Sequence, residues 1–243
     1  MKQPFQFYRF SWVIAIFMIF NVTAQKPESV MVFSKTEGFR HDCIEIGIKS
    51  IQKLGEENGF LVDITEDSNQ LISVLKKYDV IIFLNTTGDI LTNSQQGKFE
   101  NYIKKGGGFV GIHSAADTEY DWPWYGKLVG AYFLSHPKQQ QATIKVVNTE
   151  HLSTSFLGLE WSKFDEWYNY KNINTDINVL MKLDEKSYEG GKNGENHPIA
   201  WYHKYEGGRV FYTGLGHTKE SYQDEKFLKH ILGGINYAMG RSK

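Results

Sequence analysis

Gly106-Gly107-Gly108-Phe109-Val110-Gly111-Ile112-His113-Ser114-Ala115 is the stretch on which the reading of this chain turns. Three glycines lead into a short apolar run, which ends on a histidine and passes into small residues. That pattern is a buried strand followed by a sharp turn. At the carboxyl edge of a parallel sheet, strand ends open onto the ligand crevice. A glycine before the bend lets the backbone turn closely, and the polar residue at the bend is pushed out of the core. His113 is therefore the first candidate for function.

Working outward, strand and helix patterns alternate from Ser29 to about Lys138, the signature of βαβ units and a parallel sheet. Residues 29–34 form a first buried strand, and residues 42–58 a helix with Ile44, Ile48, Ile51 and Leu54 on one face and Gly59 just beyond its end. A second strand covers residues 60–65, and Leu71, Val74 and Leu75 mark a second helix. Val80-Ile81-Ile82-Phe83-Leu84 is apolar throughout, so both of its faces must be covered. A polar helix over residues 93–105 precedes the glycine-led strand. Beyond residue 138 the pattern loosens into strands at residues 142–147, 164–170, 179–183, 199–202 and 209–212. A last helix spans residues 225–239, and the polar stretch 184–196 reads as a mobile loop.

Charge and composition narrow the function. The 243 residues carry 27 basic and 28 acidic side chains, with a formal net charge of −1. Without a basic stripe, a nucleic-acid partner is not expected. The start of the chain differs in kind. Lys2 and Arg9 precede an apolar run from Trp12 to Phe20, and Val22-Thr23-Ala24 supplies small residues for cleavage. Residues 1–24 read as a secretory signal peptide cut after Ala24, leaving residues 25–243 as a single domain, secreted and periplasmic. The apolar run is shorter than the roughly 20 residues a spanning helix needs, so no integral membrane span is expected after cleavage. Cys43 is the only cysteine, which excludes an internal disulfide and a cysteine-cluster metal site.

Polar residues follow three strands that should end on the same edge: Lys35 to Asp42 after the first, His113-Ser114 after the fourth, and Gly214-Leu215-Gly216-His217-Thr218 after the last. His113 and His217 are the leading catalytic candidates, joined by His41 and Glu166. Glu166 lies among Phe164, Trp167, Tyr168 and Tyr170, where a carboxylate is costly to bury unless it meets a cation or metal. Histidine suits both proton transfer and metal binding, and the sequence does not separate the two. A divalent metal such as zinc would take His113, His136 and His217, although no short ligand motif joins them. Arg40, Ser114 and the flat rings of Trp122, Trp124 and Trp167 are candidates for binding a sugar, with Trp122-Pro123-Trp124 the best exposed. His151, His203 and His230 read as surface or structural residues, and His197 as a loop edge.

The chain resembles the ThuA-like family, named after a bacterial trehalose-utilisation protein. The resemblance is carried by Gly38-Phe39-Arg40-His41, by residues 106–113, by Leu128-Val129-Gly130-Ala131-Tyr132-Phe133 with His136, and by Asp165-Glu166-Trp167-Tyr168. It continues through His197-Pro198-Ile199-Ala200-Trp201 and residues 207–217. It implies the class I glutamine amidotransferase-like fold: a flavodoxin-like, doubly wound α/β domain with a mainly parallel sheet and helices on both faces. It also implies a small-molecule carbohydrate as ligand. An amidotransferase of this fold has a cysteine nucleophile at the strand-to-helix elbow, where this chain has His113, so glutamine hydrolysis by thiolate attack is not expected. Acid/base or metal-assisted chemistry on a sugar or oxidised keto-glycoside is the expectation, as isomerase, lyase or hydrolase. Two alternatives stand beside it: a sugar-binding or accessory module without catalysis, and a serine hydrolase using Ser114, which sits one place late for Gly-x-Ser-x-Gly. Oligomeric state is open.

Overall fold

The structure, a computed structural model, describes residues 27–241. The expected signal peptide and its cleavage site lie outside them. Among the described residues no helix is long and apolar enough to cross a membrane.

Five parallel strands form one half of a nine-stranded sheet. They are β1 (Ser29–Phe33), β2 (Leu61–Thr65), β3 (Val80–Leu84), β4 (Gly108–Ile112) and β11 (Gly208–Thr213), in the order β2-β1-β3-β4-β11. The other half is antiparallel and runs on through β10 (Pro198–Tyr205), β9 (Asn178–Leu183), β6 (Gln140–Val146) and β7 (Glu160–Asp165). A separate two-stranded ribbon pairs β5 (Tyr132–Ser135) with β8 (Asn169–Lys171).

Helices cover both faces of the parallel half because its inner strands β1, β3 and β4 are apolar on both. On one side α1 (Ile44–Asn58) and α5 (Glu225–Met239) meet each other. There Leu84 approaches Gly47, and Phe211 packs on His230 and beneath Gly234. The opposite side carries α2 (Ser68–Val74), α3 (Asn93–Lys104) and α4 (Pro123–Val129). Phe83 gathers Phe99, Phe109 and Tyr125 there, with ring centroids 5.2–5.9 Å apart. These four rings are fully buried, each worth about 1.5–3 kcal/mol of removal from water. Gly111 is obligatory within this packing, since a Cβ there would stand 2.9 Å from the Tyr212 ring and 3.2 Å from Ala115.

Three expectations are corrected. Residues 164–170 are two strands, β7 and β8, broken by a turn at Glu166, Trp167 and Tyr168. On β7 the inward positions are Trp161, Lys163 and Asp165, while Phe164 is exposed. Lys163 reaches Asp224 at 3.3 Å and lies over the Trp161 and Phe227 rings, which satisfies its charge and covers its stem. The loop at residues 184–196 is tied down rather than loose. Glu185 accepts the N–H groups of Asn193 and Gly194, and the Asn193 side chain pairs with both backbone groups of Tyr170. Cys43 is not within the helix but stands before it, fully buried, with Sγ on the Gly216 carbonyl.

Candidate metal centre

The register of β4 against β11 pairs Ile112 with Thr213, so His113 and Gly214 leave their strands side by side. His113 turns the chain with φ +51°, a left-handed conformation that costs a non-glycine residue energy and is kept where the surroundings enforce it. The Tyr212 hydroxyl donates to its carbonyl at 2.7 Å, and its own Nδ1–H donates to the Gly214 carbonyl at 2.9 Å. A carbonyl oxygen only accepts, so the neutral ring must carry its proton on Nδ1 and present a bare lone pair at Nε2.

That lone pair faces His217 and Glu166. Nε2 of His113 is 3.1 Å from His217 Nδ1 and 3.5 Å from Glu166 Oε2, and His217 Nδ1 is 3.2 Å from the same carboxylate oxygen. The His41 ring stands edge-on to both, with centroids 4.9 Å from His113 and 5.0 Å from His217. Its Nδ1 is 3.4 Å from Ser114 Oγ. One donor atom from each of His41, His113, Glu166 and His217 falls within 4.8 Å of the others. Three imidazoles and a carboxylate at this spacing are a ligand set for zinc or a similar ion. The Gly214 carbonyl orients one of the rings in the way that outer hydrogen bonds orient metal-binding histidines.

Electrostatics agree with a site built for positive charge. Burial would raise the Glu166 carboxyl, yet the His113 and His217 imidazoles beside it hold it well below the usual carboxylate range. Burial would likewise lower His217, but the hydrogen bond and charge of Glu166 overrule it and raise the imidazole. His41, desolvated and beside His113 and His217, is pushed down to about 2 and is therefore neutral, with an electron pair to give.

Asp165 holds this arrangement together. It is fully buried and accepts N–H groups from Gly216 (3.0 Å) and His217 (3.1 Å), the Ser221 hydroxyl (2.9 Å) and the Glu166 N–H (3.0 Å). One carboxylate thus fixes the two backbones that deliver Glu166 and His217. Gly216 adopts φ +105°, and a Cβ there would meet Phe227 and Tyr222, so only glycine suits the turn before His217.

A cleft of about 350 Å³ opens above the quartet, lined by Phe39, Asp117, Phe133, His136, Gln139 and Tyr168 together with His41, Glu166 and His217. The Tyr168 ring lies 4.2 Å from His113 and 4.3 Å from Phe133, centroid to centroid.

The structure brings together His41, His113, Glu166 and His217, and it corrects the rest of the sequence-derived set. His136, expected among the metal ligands with His113 and His217, sits half-exposed on the rim, 3.2 Å from Glu166 Oε1, and His41 completes the quartet instead. Arg40 is outside the cleft, in ion pairs with Glu45 and Glu66 at 2.7 and 2.8 Å. Ser114 is fully buried behind His41, an imidazole too weakly basic to activate it. Trp122 is buried, stacked on Trp124 and Tyr125, and Trp124 bonds Glu206. Trp167 is wholly interior and donates to the Gln140 carbonyl. All three indoles satisfy the core, not the cleft. Burial, with the Asp165 charge, pushes the Cys43 thiol up to about 12, so no thiolate forms there. His197, His203 and His230 are buried structural residues, bonded to Glu185 and Tyr168, to Lys127, and to Ser153 and Thr213 respectively. The sequence missed Asp117 and the rings of Phe39, Phe133 and Tyr168 as cleft walls. Their signal was proximity: Asp117 lies just past His113, and Tyr168 just past Glu166.

Comparison with known proteins agrees with this architecture. A ThuA-like protein from Bacteroides uniformis is 26% identical, superposes with a TM-score of 0.74, and is matched over 90% of this chain and 95% of its own. One from Parabacteroides merdae is 18% identical with a TM-score of 0.75, over 90% and 92% of the two chains. A β-galactosidase from Bacillus circulans sp. alkalophilus shares the fold at 14% identity and a TM-score of 0.58, over 88% of this chain and 31% of its own. No curated protein matches the chain. The family model described as trehalose utilisation, ThuA, matches residues 29–238, nearly the whole described chain, and the protein belongs to that family.

Proposed function

We propose that this protein is an exported carbohydrate-processing enzyme that holds a divalent metal such as zinc on His41, His113, His217 and Glu166. Its substrate would be a sugar or glycoside bearing a carbonyl, and its reaction an isomerisation or elimination. The observation that carries the reading is the convergence of metal-binding atom types. With the His113 tautomer set by Gly214, its Nε2 lone pair, His217 Nδ1 and Glu166 Oε2 gather within 3.1–3.5 Å of one another, and His41 completes a donor set that a cation between them would fit. A bound ion would supply Lewis acidity toward a carbonyl oxygen. Phe39, Phe133 and Tyr168 offer faces for the apolar side of a sugar ring, while His136 and Gln139 stand ready for its hydroxyls. Thiolate-based amidotransfer is not part of this reading, because the elbow residue is His113.

The test begins with elemental analysis of protein purified without a histidine tag. About one zinc or similar ion per chain is expected, and none after replacement of both His113 and His217 by alanine. Incubation with 3-keto-glycosides, followed by mass spectrometry, then tests turnover. No product from metal-loaded protein would defeat the enzyme reading. A second reading, a sugar-binding module without catalysis, is favoured by one observation: the same fold makes up about a third of a β-galactosidase chain, the match covering 31% of it. Calorimetric binding of the sugar with no turnover would select it. Export predicts that the protein recovered from the periplasm begins at Gln25.

A further inference from the structure

A quartet that gives its electron pairs to a cation has none left for moving protons. Acid/base chemistry in the cleft must then fall to another group on its wall. The remaining titratable residues lining it are Asp117, His136 and Tyr168. Burial drives the Tyr168 phenol far above its usual range, and the charges of Glu166 and Asp117 add to this. His136 is committed through Nδ1, which lies 2.9 Å from the Pro137 carbonyl and 3.2 Å from Glu166. Asp117 remains.

We propose that Asp117 is the general acid/base of the reaction, an assignment that rests on the carbonyl-sugar reading above. Its backbone is pinned on both sides. Its N–H donates to the Ser114 carbonyl at 2.8 Å, and its own carbonyl accepts the Gly88 N–H at 3.0 Å. It therefore belongs to the same rigid turn that presents His113. Its Oδ1 accepts the Tyr120 hydroxyl at 2.5 Å, and that hydroxyl lies 3.2 Å from the Phe133 carbonyl. Oδ2 takes no hydrogen bond among the described residues, which leaves it for a bound molecule. The groups facing the carboxylate are Tyr120 from its own loop, His113 from the turn, Lys171 from β8 and His136 from beyond β5. All four favour the anion, but burial outweighs them and raises its affinity for a proton. A carboxyl moved in that direction is a better partner for proton transfer near neutral pH.

In the elimination, Asp117 removes a proton from the carbon beside the carbonyl. The C–H electron pair becomes the carbon–carbon double bond of an enolate, and the carbonyl π pair moves onto oxygen. The enolate then re-forms the carbonyl. A double bond arises between the two neighbouring carbons as the glycosidic C–O bond breaks, and the departing oxygen keeps that electron pair. Asp117 returns its proton to this oxygen, so the products are an unsaturated keto-sugar and an alcohol, with no oxidant or reductant consumed.

The experiment follows a 3-keto-glycoside in D2O by NMR with wild-type and Asp117→Asn protein, alongside metal content and melting temperature. The variant should keep its metal and fold but lose deuterium exchange and cleavage by about 10²–10⁴-fold, the usual worth of a positioned acid/base. Tyr120→Phe removes the donor that stabilises the anion, so the acidic limb of kcat/KM should move to higher pH. Wild-type-like exchange by Asp117→Asn, or an unmoved limb in Tyr120→Phe, overturns the assignment while leaving the sugar reading intact. A wild-type protein that neither exchanges nor cleaves overturns both.

Discussion

Replacing Asp165 by alanine should be the most damaging single change near the cleft that touches none of the four donor residues. The carboxylate receives the N–H groups of Gly216, His217 and Glu166 at 3.0, 3.1 and 3.0 Å and the Ser221 hydroxyl at 2.9 Å. Ser221 can fall back on Thr218, 3.0 Å away, so its loss is small. The three backbone donors have no second partner among the described residues. A buried donor left unpaired costs about 1–3 kcal/mol, and three of them give roughly 6 kcal/mol. Set against a typical total of about 5–15 kcal/mol, that is a large fraction of the fold's stability. Asparagine retains one acceptor oxygen and should cost about half as much. Urea unfolding followed by tryptophan fluorescence reads the stability, and zinc titration under native conditions reads the site. Both should weaken, because the segment that relaxes carries His217. A loss below about 1 kcal/mol with unchanged zinc affinity would refute the view that Asp165 clamps the two backbones.

Three further outcomes are expected. His230 is fully buried between Ser153 and Thr213, and burial pushes it down to about 4 from an ordinary 6.5. The unfolded chain therefore binds the extra proton first. Stability should fall by up to about 1.4 kcal/mol per pH unit as pH drops from 6.5 toward 4. Comparing denaturation of wild type and His230→Gln at pH 7 and pH 5 isolates this dependence, and identical pH slopes would contradict it. Cys43 should resist iodoacetamide in the folded protein and react only on unfolding, as its burial and raised thiol demand. Mass spectrometry of native protein after long exposure measures this, rapid labelling being the adverse result. Gly216→Ala forces a side chain into φ +105° against Phe227 and Tyr222, and should destabilise by about 1–3 kcal/mol with weaker metal binding. Unchanged thermal stability would show that the turn tolerates a Cβ.

The parallel half of the sheet was legible because its strands obey a simple rule: Val30 to Phe33, Val80 to Leu84 and Gly108 to Ile112 are buried on both faces, so the sequence is apolar without interruption. From that, the meeting of His41, His113 and His217 at one edge followed by topology alone. The far half broke the rule. On β7 a lysine and an aspartate point inward while Phe164 faces water, so its apolar residues do not all mark the buried face. The tryptophans misled for a related reason. An indole near a polar loop reads as exposed, but Trp122 and Trp167 bury their rings and find partners for their N–H groups in Glu100 and Gln140. His136 and His41 could not be ranked from sequence, since their distances from the centre depend on how the β5–β8 ribbon and the β1 loop fold over it. Asp117 carried no pattern, because a lone acidic residue after a strand reads as a solvated loop.

The two-stranded ribbon of β5 and β8 has a consequence for how this protein could diverge. The imidazoles of His113 and His217 come from turns at the end of the parallel sheet, whereas Phe133, His136 and Tyr168 come from the ribbon or the residues flanking it. Under the proposed function, the histidines of the centre and the walls that would select a ligand are thus seated on different pieces of backbone, with Glu166 the link between them. Sequence drift in the ribbon can reshape what the mouth admits while the chemistry beneath keeps its geometry, much as a lock can be rekeyed without changing its bolt.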